Sequence, residues 1–347
     1  MDDWLACVAR EELIGDDQAS LWLGAPAVAF ALATTAPQER YSTALLTLDA
    51  DVGVIVTTKL AAARTRMAAA ARPSRDEYDL IRGLTGLGAH LRRHTPHSPL
   101  LRDVLAYLVQ LTHPVPADDE AGDSVPGWWS NDFPDARLTN AFPSGRADLG
   151  MAHGIAGPLA LLALTMRQGI MVEGQAEAIG RICAWLDAWR QEGSAGLWWP
   201  ERVTLAEQQA GRTANPAPAQ PSWRSGTPGI ARAQQLAALT IGDQARQERA
   251  EHALAACLSD SAQLGRITGP ALCSGWAGLL ATVWHASADD STGKLATYLP
   301  SLLITLLRHA ERTPFDGLLH GRAGIALLLH TMTAGTGDGW ESCLLIA

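Results

Sequence analysis

A histidine, an aspartate, an arginine and a cysteine, each beside a glycine turn, carry the chemistry this chain can offer. His153 immediately precedes a turn glycine in Ala152-His153-Gly154-Ile155-Ala156-Gly157. An imidazole there, with an ordinary pKa of about 6.5, can exchange protons at neutral pH. Asp79, ahead of Gly83, either orients His153 or caps the helix that follows, Asp being a favoured N-cap. Arg224 precedes Gly226 and is a fixed cation that can pair with Asp79, bind a peptide carboxylate, or lower the pKa of a nearby thiol. Cys273 and Ser274 precede Gly275, and His320 precedes Gly321 as His153 precedes Gly154. Cys273, His153 and His320 would form a Cys-His-His metal site if their turns converged, although nothing in their linear spacing requires it. Pro126-Gly127-Trp128-Trp129 is an aromatic cluster able to cover a cavity mouth, with Trp128 available to a substrate.

The elements that must position these groups follow from an internal repeat. Six turns recur at intervals of 46 to 72 residues, at Gly24, Gly83, Gly154, Gly226, Gly275 and Gly321, and all but the first have a second glycine three residues on. After them come stretches apolar almost all round, Pro158 to Met166, Ile230 to Leu239 and Ile325 to Met332, the pattern of helices buried on every side. Leu100 to Leu111, Ala176 to Arg190, Asp243 to Leu258 and Leu295 to Arg312 show apolar residues at three- and four-residue spacing with charges between them, the pattern of outer helices. Alternating outer and inner helices joined by tight turns predict an all-α fold, a double-layered α/α toroid. Its inner helices wall a central cavity, and the turns meet at one mouth. Glycine suits such turns because the chain bends sharply, often with positive φ, and neighbouring loops crowd together. The repeat makes residues 1–347 a single domain. Pro114 to Leu149 and Pro200 to Pro221 interrupt the rhythm; the first is read as cover for the mouth and the second as a mobile lid.

Composition narrows the function. Net charge is −9 with no basic run, which argues against nucleic acid as a partner. Hydrophobic residues make up 47 %, enough for a substantial core. Met1-Asp2-Asp3-Trp4 does not resemble a signal peptide, and no apolar run reaches membrane-spanning length without polar interruption, so a cytoplasmic protein is expected. Cys7, Cys183, Cys257, Cys273 and Cys343 are odd in number and lack paired spacing; Cys183 and Cys257 read as small buried hydrophobes. His90, His285 and His330 read as packing or surface residues on helices.

Several of these segments resemble one family. Tyr78-Asp79-Leu80-Ile81-Arg82-Gly83, Pro126-Gly127-Trp128, Gly150 to Gly157, Ser222-Trp223 ahead of Gly226 and Pro228-Gly229, and Cys273 two residues before Gly275 fall in the order and approximate spacing of the lanthionine synthetase C-like proteins. The resemblance runs from about Leu21 to Leu329. It implies an α/α toroid and thioether ring closure in a ribosomally made precursor peptide, by addition of a cysteine thiol to a dehydrated serine or threonine. It also implies a separate dehydratase as partner, and a zinc ion held by a Trp-Cys-x-Gly cysteine and a Cys-His pair, thiolate being a preferred ligand of zinc. Here the first cysteine is Arg224 and the histidine is Ser274, which leaves Cys273 alone. No resident metal is therefore expected, while Asp79 and His153 match family positions and Gln220 stands near the place of a family arginine.

Three readings follow. The first is a cyclase-like protein working without zinc, in which Arg224 favours the substrate thiolate and His153 protonates the enolate formed by addition. The second is a non-catalytic peptide-binding or scaffold subunit of a lanthipeptide modification complex. The third, an α/α-toroid glycosidase, needs two opposed carboxylates, and only Asp79 and Asp316 fall near the turns. A neighbouring gene for a dehydratase and one for a short precursor peptide rich in Ser, Thr and Cys would fix the pathway.

Overall fold

Glycine turns hydrogen-bonded to one another form one end of the molecule. The structure is a computed structural model that describes residues 13–16, 18–35, 41–117, 124–131, 136–194, 196–335 and 339–347; Met1 to Trp4 and Cys7 lie outside the described residues. In chain order the main helices are α1 (Ala25–Thr35), α2 (Ser42–Ala68), α3 (Leu84–His94), α4 (Pro99–Leu111), α5 (Ala156–Arg167), α6 (Gln175–Ala188), α7 (Thr227–Ile241), α8 (Gln244–Ser259), α9 (Trp276–Asp289), α10 (Leu299–His309) and α11 (Arg322–Ala334). The odd-numbered helices follow the turns and pack each against the next, α1 on α3 through α9 on α11. This is the inner layer of an α/α toroid. Leu84 to Arg92, Ala156 to Thr165, Thr227 to Ala238 and Trp276 to Val283 are buried without a break.

Even-numbered helices bury one stripe. In α4 that stripe is Leu101, Val104, Leu105 and Leu108, while Arg102, Asp103 and Ala106 face solvent. Ser98 caps α4 by accepting from the Leu100 amide at 3.2 Å, Pro99 opens it, and Asp243 caps α8 by accepting from the Arg246 amide at 3.0 Å. Helix α2 was not among the expected outer helices, because Ala and Thr blur its pattern. Only the structure isolates its buried stripe of Leu48, Val52, Ile55, Val56, Leu60 and Ala63.

Each turn is held by the next. Trp22 Nε1 donates to the Leu80 carbonyl at 3.2 Å, the Leu80 amide to Ala152 at 3.1 Å, and the Ala152 amide to Arg224 at 3.0 Å. Gln220 Nε2 donates to the Ser274 carbonyl at 2.6 Å, and the Cys273 amide to Leu319 at 2.9 Å. The second glycines let each turn close tightly on itself. A Cβ at Gly86, Gly157, Gly229, Gly278 or Gly324 would strike the carbonyl oxygen of the residue six positions earlier. The expected positive φ is found only at Gly24, at 75°; Gly83, Gly226, Gly275 and Gly321 are extended, and what excludes a side chain there is the neighbouring backbone.

Three expectations need correction. Helix α11 buries only Gly324, Ile325, Leu328 and Thr331, and the described chain after it forms only a short 3-10 helix, Trp340–Leu344, in place of an outer helix. The space inside the ring is occupied by the chain itself: residues 340–346 are buried, with Trp223 Nε1 donating to the Leu344 carbonyl at 2.9 Å, Arg232 Nε to Ile346 at 3.0 Å and Arg92 Nη2 to Ala347 at 2.7 Å. The segment from Pro200 to Pro221, expected as a mobile lid, is tied down. Thr204 and Glu207 form a capping box, Glu207 Oε1 accepts from the Ala214 amide at 2.7 Å, and Arg266 donates to the Pro218 carbonyl. Its strand β6 (Arg202–Thr204) pairs antiparallel with β3 (Arg146–Asp148) from the other long segment. The remaining strands, β1 (Val115–Pro116) with β2 (Ser124–Val125) and β4 (Gln191–Gly193) with β5 (Gly196–Trp198), are equally short two-stranded pairs. No described helix is long and apolar enough to cross a membrane.

Two outcomes follow. Gly229→Ala puts a methyl against the Trp223 carbonyl and should cost about 1–3 kcal/mol. Gly180→Ala, in open space on α6, should instead stabilise by about 0.5–1 kcal/mol; urea unfolding measures both. The second outcome concerns His90 on α3, which burial and then His94 push down from 6.5 to about 3. Between these values the unfolded chain binds a proton that the folded chain refuses. Stability should therefore fall with pH across that window and be unaffected above it, and His90→Gln should reduce the slope by up to about 1.4 kcal/mol per pH unit.

Candidate active site

The short helix Arg75–Tyr78 ends at Asp79, whose side chain is fully buried. Its Oδ1 accepts the amides of Arg82 at 2.6 Å and Gly83 at 2.9 Å, just ahead of α3. Its Oδ2 accepts from His153 Nδ1 at 2.7 Å. Of the two roles weighed for Asp79, Oδ2 takes the one of orienting His153, while Oδ1 holds the turn ahead of α3, whose N-cap is Gly83 with no side-chain cap. The loop carrying His153 is fixed by Gly154 N to Gly150 O at 2.9 Å and Ile155 N to Asp148 O at 3.0 Å. With Nδ1 committed to a carboxylate that only accepts, Nε2 is the ring nitrogen left for chemistry, on a side chain 23 % exposed.

His153 borders a pocket of about 140 Å³ at the turn end, together with Arg75, Arg146, Asp148, Glu201, Arg202, Arg224 and Ser225. Strands β3 and β6 supply its charged wall, Asp148 pairing in register with Arg202. Arg146 binds Asp148 through two contacts, at 2.9 and 3.2 Å. Glu201 accepts from Arg202 at 2.9 Å and from Ser225 Oγ at 2.9 Å. Sequence reasoning missed Arg75, Arg146, Asp148, Glu201 and Arg202. For Arg146, Asp148, Glu201 and Arg202 the only signal was the charge carried within two long segments whose pairing is a tertiary fact; Arg75 lies in neither segment.

Arg224 shares this pocket, so the structure brings it together with Asp79 and His153, but the expected ion pair with Asp79 is not formed. Its guanidinium is exposed and has no hydrogen bond or ion pair among the described residues. On its other side is Cys273, 6 % exposed; burial pushes that thiol above its usual range and the Arg224 charge offsets only part of the effect. Ser274 is exposed, as is His320. Among the described residues no three His, Cys, Asp or Glu side chains are placed to hold a metal ion, so Cys273, His153 and His320 do not assemble the alternative site. Trp128 is 2 % exposed and meets Trp185 of α6 edge-on at 5.2 Å, while its carbonyl accepts from Tyr78 Oη at 3.2 Å. It fastens its loop to the outer layer and turns no free ring face to a ligand. Asp316 is bound at its own turn by Arg322, at 2.5 Å, leaving no pair of opposed carboxylates with Asp79.

The family model for lanthionine synthetase C-like proteins matches residues 3–345. The chain belongs to the lanthionine synthetase C-like family. Among solved structures it is similar to "Nisin cyclase", with a TM-score of 0.82 and 19 % identity, over 99 % of this chain and 83 % of that one. At that identity the likeness concerns the fold. No curated protein matches by sequence.

Within this lanthionine synthetase C-like toroid, Cys273 can be tested directly. The pH midpoint for its alkylation, followed by peptide mass spectrometry, should lie above that of an ordinary thiol at about 8.5. Arg224→Ala should move it higher still, since the one charge favouring the thiolate is gone. An unchanged midpoint would show that the two groups do not communicate.

Proposed function

We propose that this chain acts on a ribosomally made precursor peptide as a lanthipeptide-cyclase-like protein, closing thioether rings without the zinc that the family resemblance implies. The observation that carries the reading is the Asp79–His153 pair at 2.7 Å, opening onto the pocket that also holds Arg224. The donor set does not fit a family-type zinc centre: one buried thiol stands beside a guanidinium and a serine, and a fixed cation repels a second one.

Ring closure then rests on this chain's own groups. A substrate cysteine gives its thiol proton to water, favoured by the Arg224 charge, and its sulfur bonds to the β-carbon of a dehydrated serine or threonine. The alkene electrons move onto the adjoining carbonyl as an enolate. His153 Nε2 delivers a proton to the α-carbon, with Asp79 stabilising the imidazolium from the other side. The addition is redox-neutral and returns one proton for the one removed. A dehydratase must supply the substrate, and modification would take place where the ribosomal peptide is made, in the cytoplasm.

The donor set also favours a second reading, a non-catalytic peptide-binding subunit, because Arg224 and Ser274 remove metal activation and Cys273 is buried as a thiol. Purified protein with a dehydrated, cysteine-containing peptide separates the two readings. Catalysis should deplete free thiol above the uncatalysed rate, His153→Asn should slow it by about 100-fold or more, and Arg224→Ala should shift the pH–rate profile upward. Ring closure no faster than without protein, alongside retained peptide binding, would establish the subunit reading.

A further inference from the structure

The pocket beside His153 contains more positive charge than its acids neutralise. Four arginines line it, Arg75, Arg146, Arg202 and Arg224, against two carboxylates, Asp148 and Glu201. Both carboxylates are already engaged, Asp148 by Arg146 at 2.9 Å and Glu201 by Arg202 and Ser225 at 2.9 Å each. Of the two other guanidiniums, one is unpaired among the described residues and one is held only by a long ion pair with Asp76. Arg224 has no ion pair among the described residues. Arg75, only 12 % exposed, keeps a buried Nε without a hydrogen-bond partner, its nearest acid being Asp76 at 3.8 Å. The pocket of about 140 Å³ therefore keeps an excess of positive charge, with Arg224 exposed to solvent and Arg75 half-satisfied.

We propose that this pocket is an oxyanion subsite that takes a carboxylate or a phosphate group. Guanidinium forks match the oxygens of both groups and bind them by charge-assisted hydrogen bonds. Arg146 shows the crowding: burial is the largest influence lowering its pKa, Asp148 offsets part of that, and the neighbouring charges of Arg202 and Arg75 lower it further. An anion entering the pocket relieves this repulsion. Glu201 and Arg202 also line an adjoining cavity of about 410 Å³ beneath Asn215 and Ala217, which gives a chain bearing the anion a place to continue. That the anion is carried by a peptide, as an acidic side chain or a phosphorylated Ser or Thr, rests on the reading above; the anion site itself does not.

Calorimetric titration and thermal unfolding with inorganic phosphate, against chloride at matched ionic strength, test the site without any ring-forming substrate. One phosphate should bind per chain and raise the melting temperature. Arg75→Gln and Arg202→Gln, with folding checked by circular dichroism, should each weaken binding tenfold or more, and Arg202→Lys should weaken it less than Arg202→Gln. Phosphate with no effect beyond chloride, or bound equally by the folded variants, overturns the subsite. Displacement of phosphate by a phosphoserine peptide but not by its glutamate analogue, or the reverse, identifies the source of the anion. If neither peptide displaces it, the peptide-borne assignment fails while the cyclisation assay stands on its own.

Discussion

Backbone hydrogen bonds between successive glycine turns are the constraint on which the rest of the molecule depends. They run between main-chain amides and carbonyls, Leu80 to Ala152 and Ala152 to Arg224 among them. Two turns can come this close only if the chain presents no Cβ at the contact. At Gly150 such an atom would lie 2.5 Å from the Arg224 carbonyl. Helix placement is then a consequence. Inner helices start where the turns let them, and outer helices fill the surface that the inner ones leave.

The same hydrogen bonds bring the candidate site residues together. Asp79, His153 and Arg224 belong to the second, third and fourth turns, and these are the turns joined through Leu80, Ala152 and Arg224. Asp79 serves the fold and the site with one carboxylate, holding the amides ahead of α3 with Oδ1 and the imidazole with Oδ2. An apolar residue there would leave buried amides unpaired as well as the histidine unoriented. Stability and the proposed chemistry are therefore coupled at this position in a way they are not at the side chain of Arg224, which is exposed.

In the reading proposed above, charge stands where the family resemblance implies a metal. Arg224 and Ser274 stand at two of the three positions that the family resemblance assigns to zinc ligands. The cation at Arg224 acts on the Cys273 thiol at one side and faces the arginine-rich pocket at the other. A fixed charge is a weaker activator of thiols than a coordinated metal, but it is also available to anions that a thiolate-ligated metal would not recruit. The pairing of β3 with β6 completes the change by adding Arg146 and Arg202 from segments outside the helical repeat.

Periodicity and glycine spacing determined the layered helical ring from sequence alone, because apolar residues buried on all sides and apolar stripes on one side are local patterns. The motif likewise singled out Asp79, His153 and Arg224. Local pattern has no means of showing which residues distant in sequence meet. The sheet that carries Arg146 and Arg202, the buried setting of Trp128 against Trp185, the failure of His320 to join Cys273 and His153 in a three-ligand group among the described residues and the filling of the ring by residues 340–346 were all decided by tertiary packing. Each depends on surfaces that exist only once the turns have closed, and a side chain's type states what it can do but not what it will face.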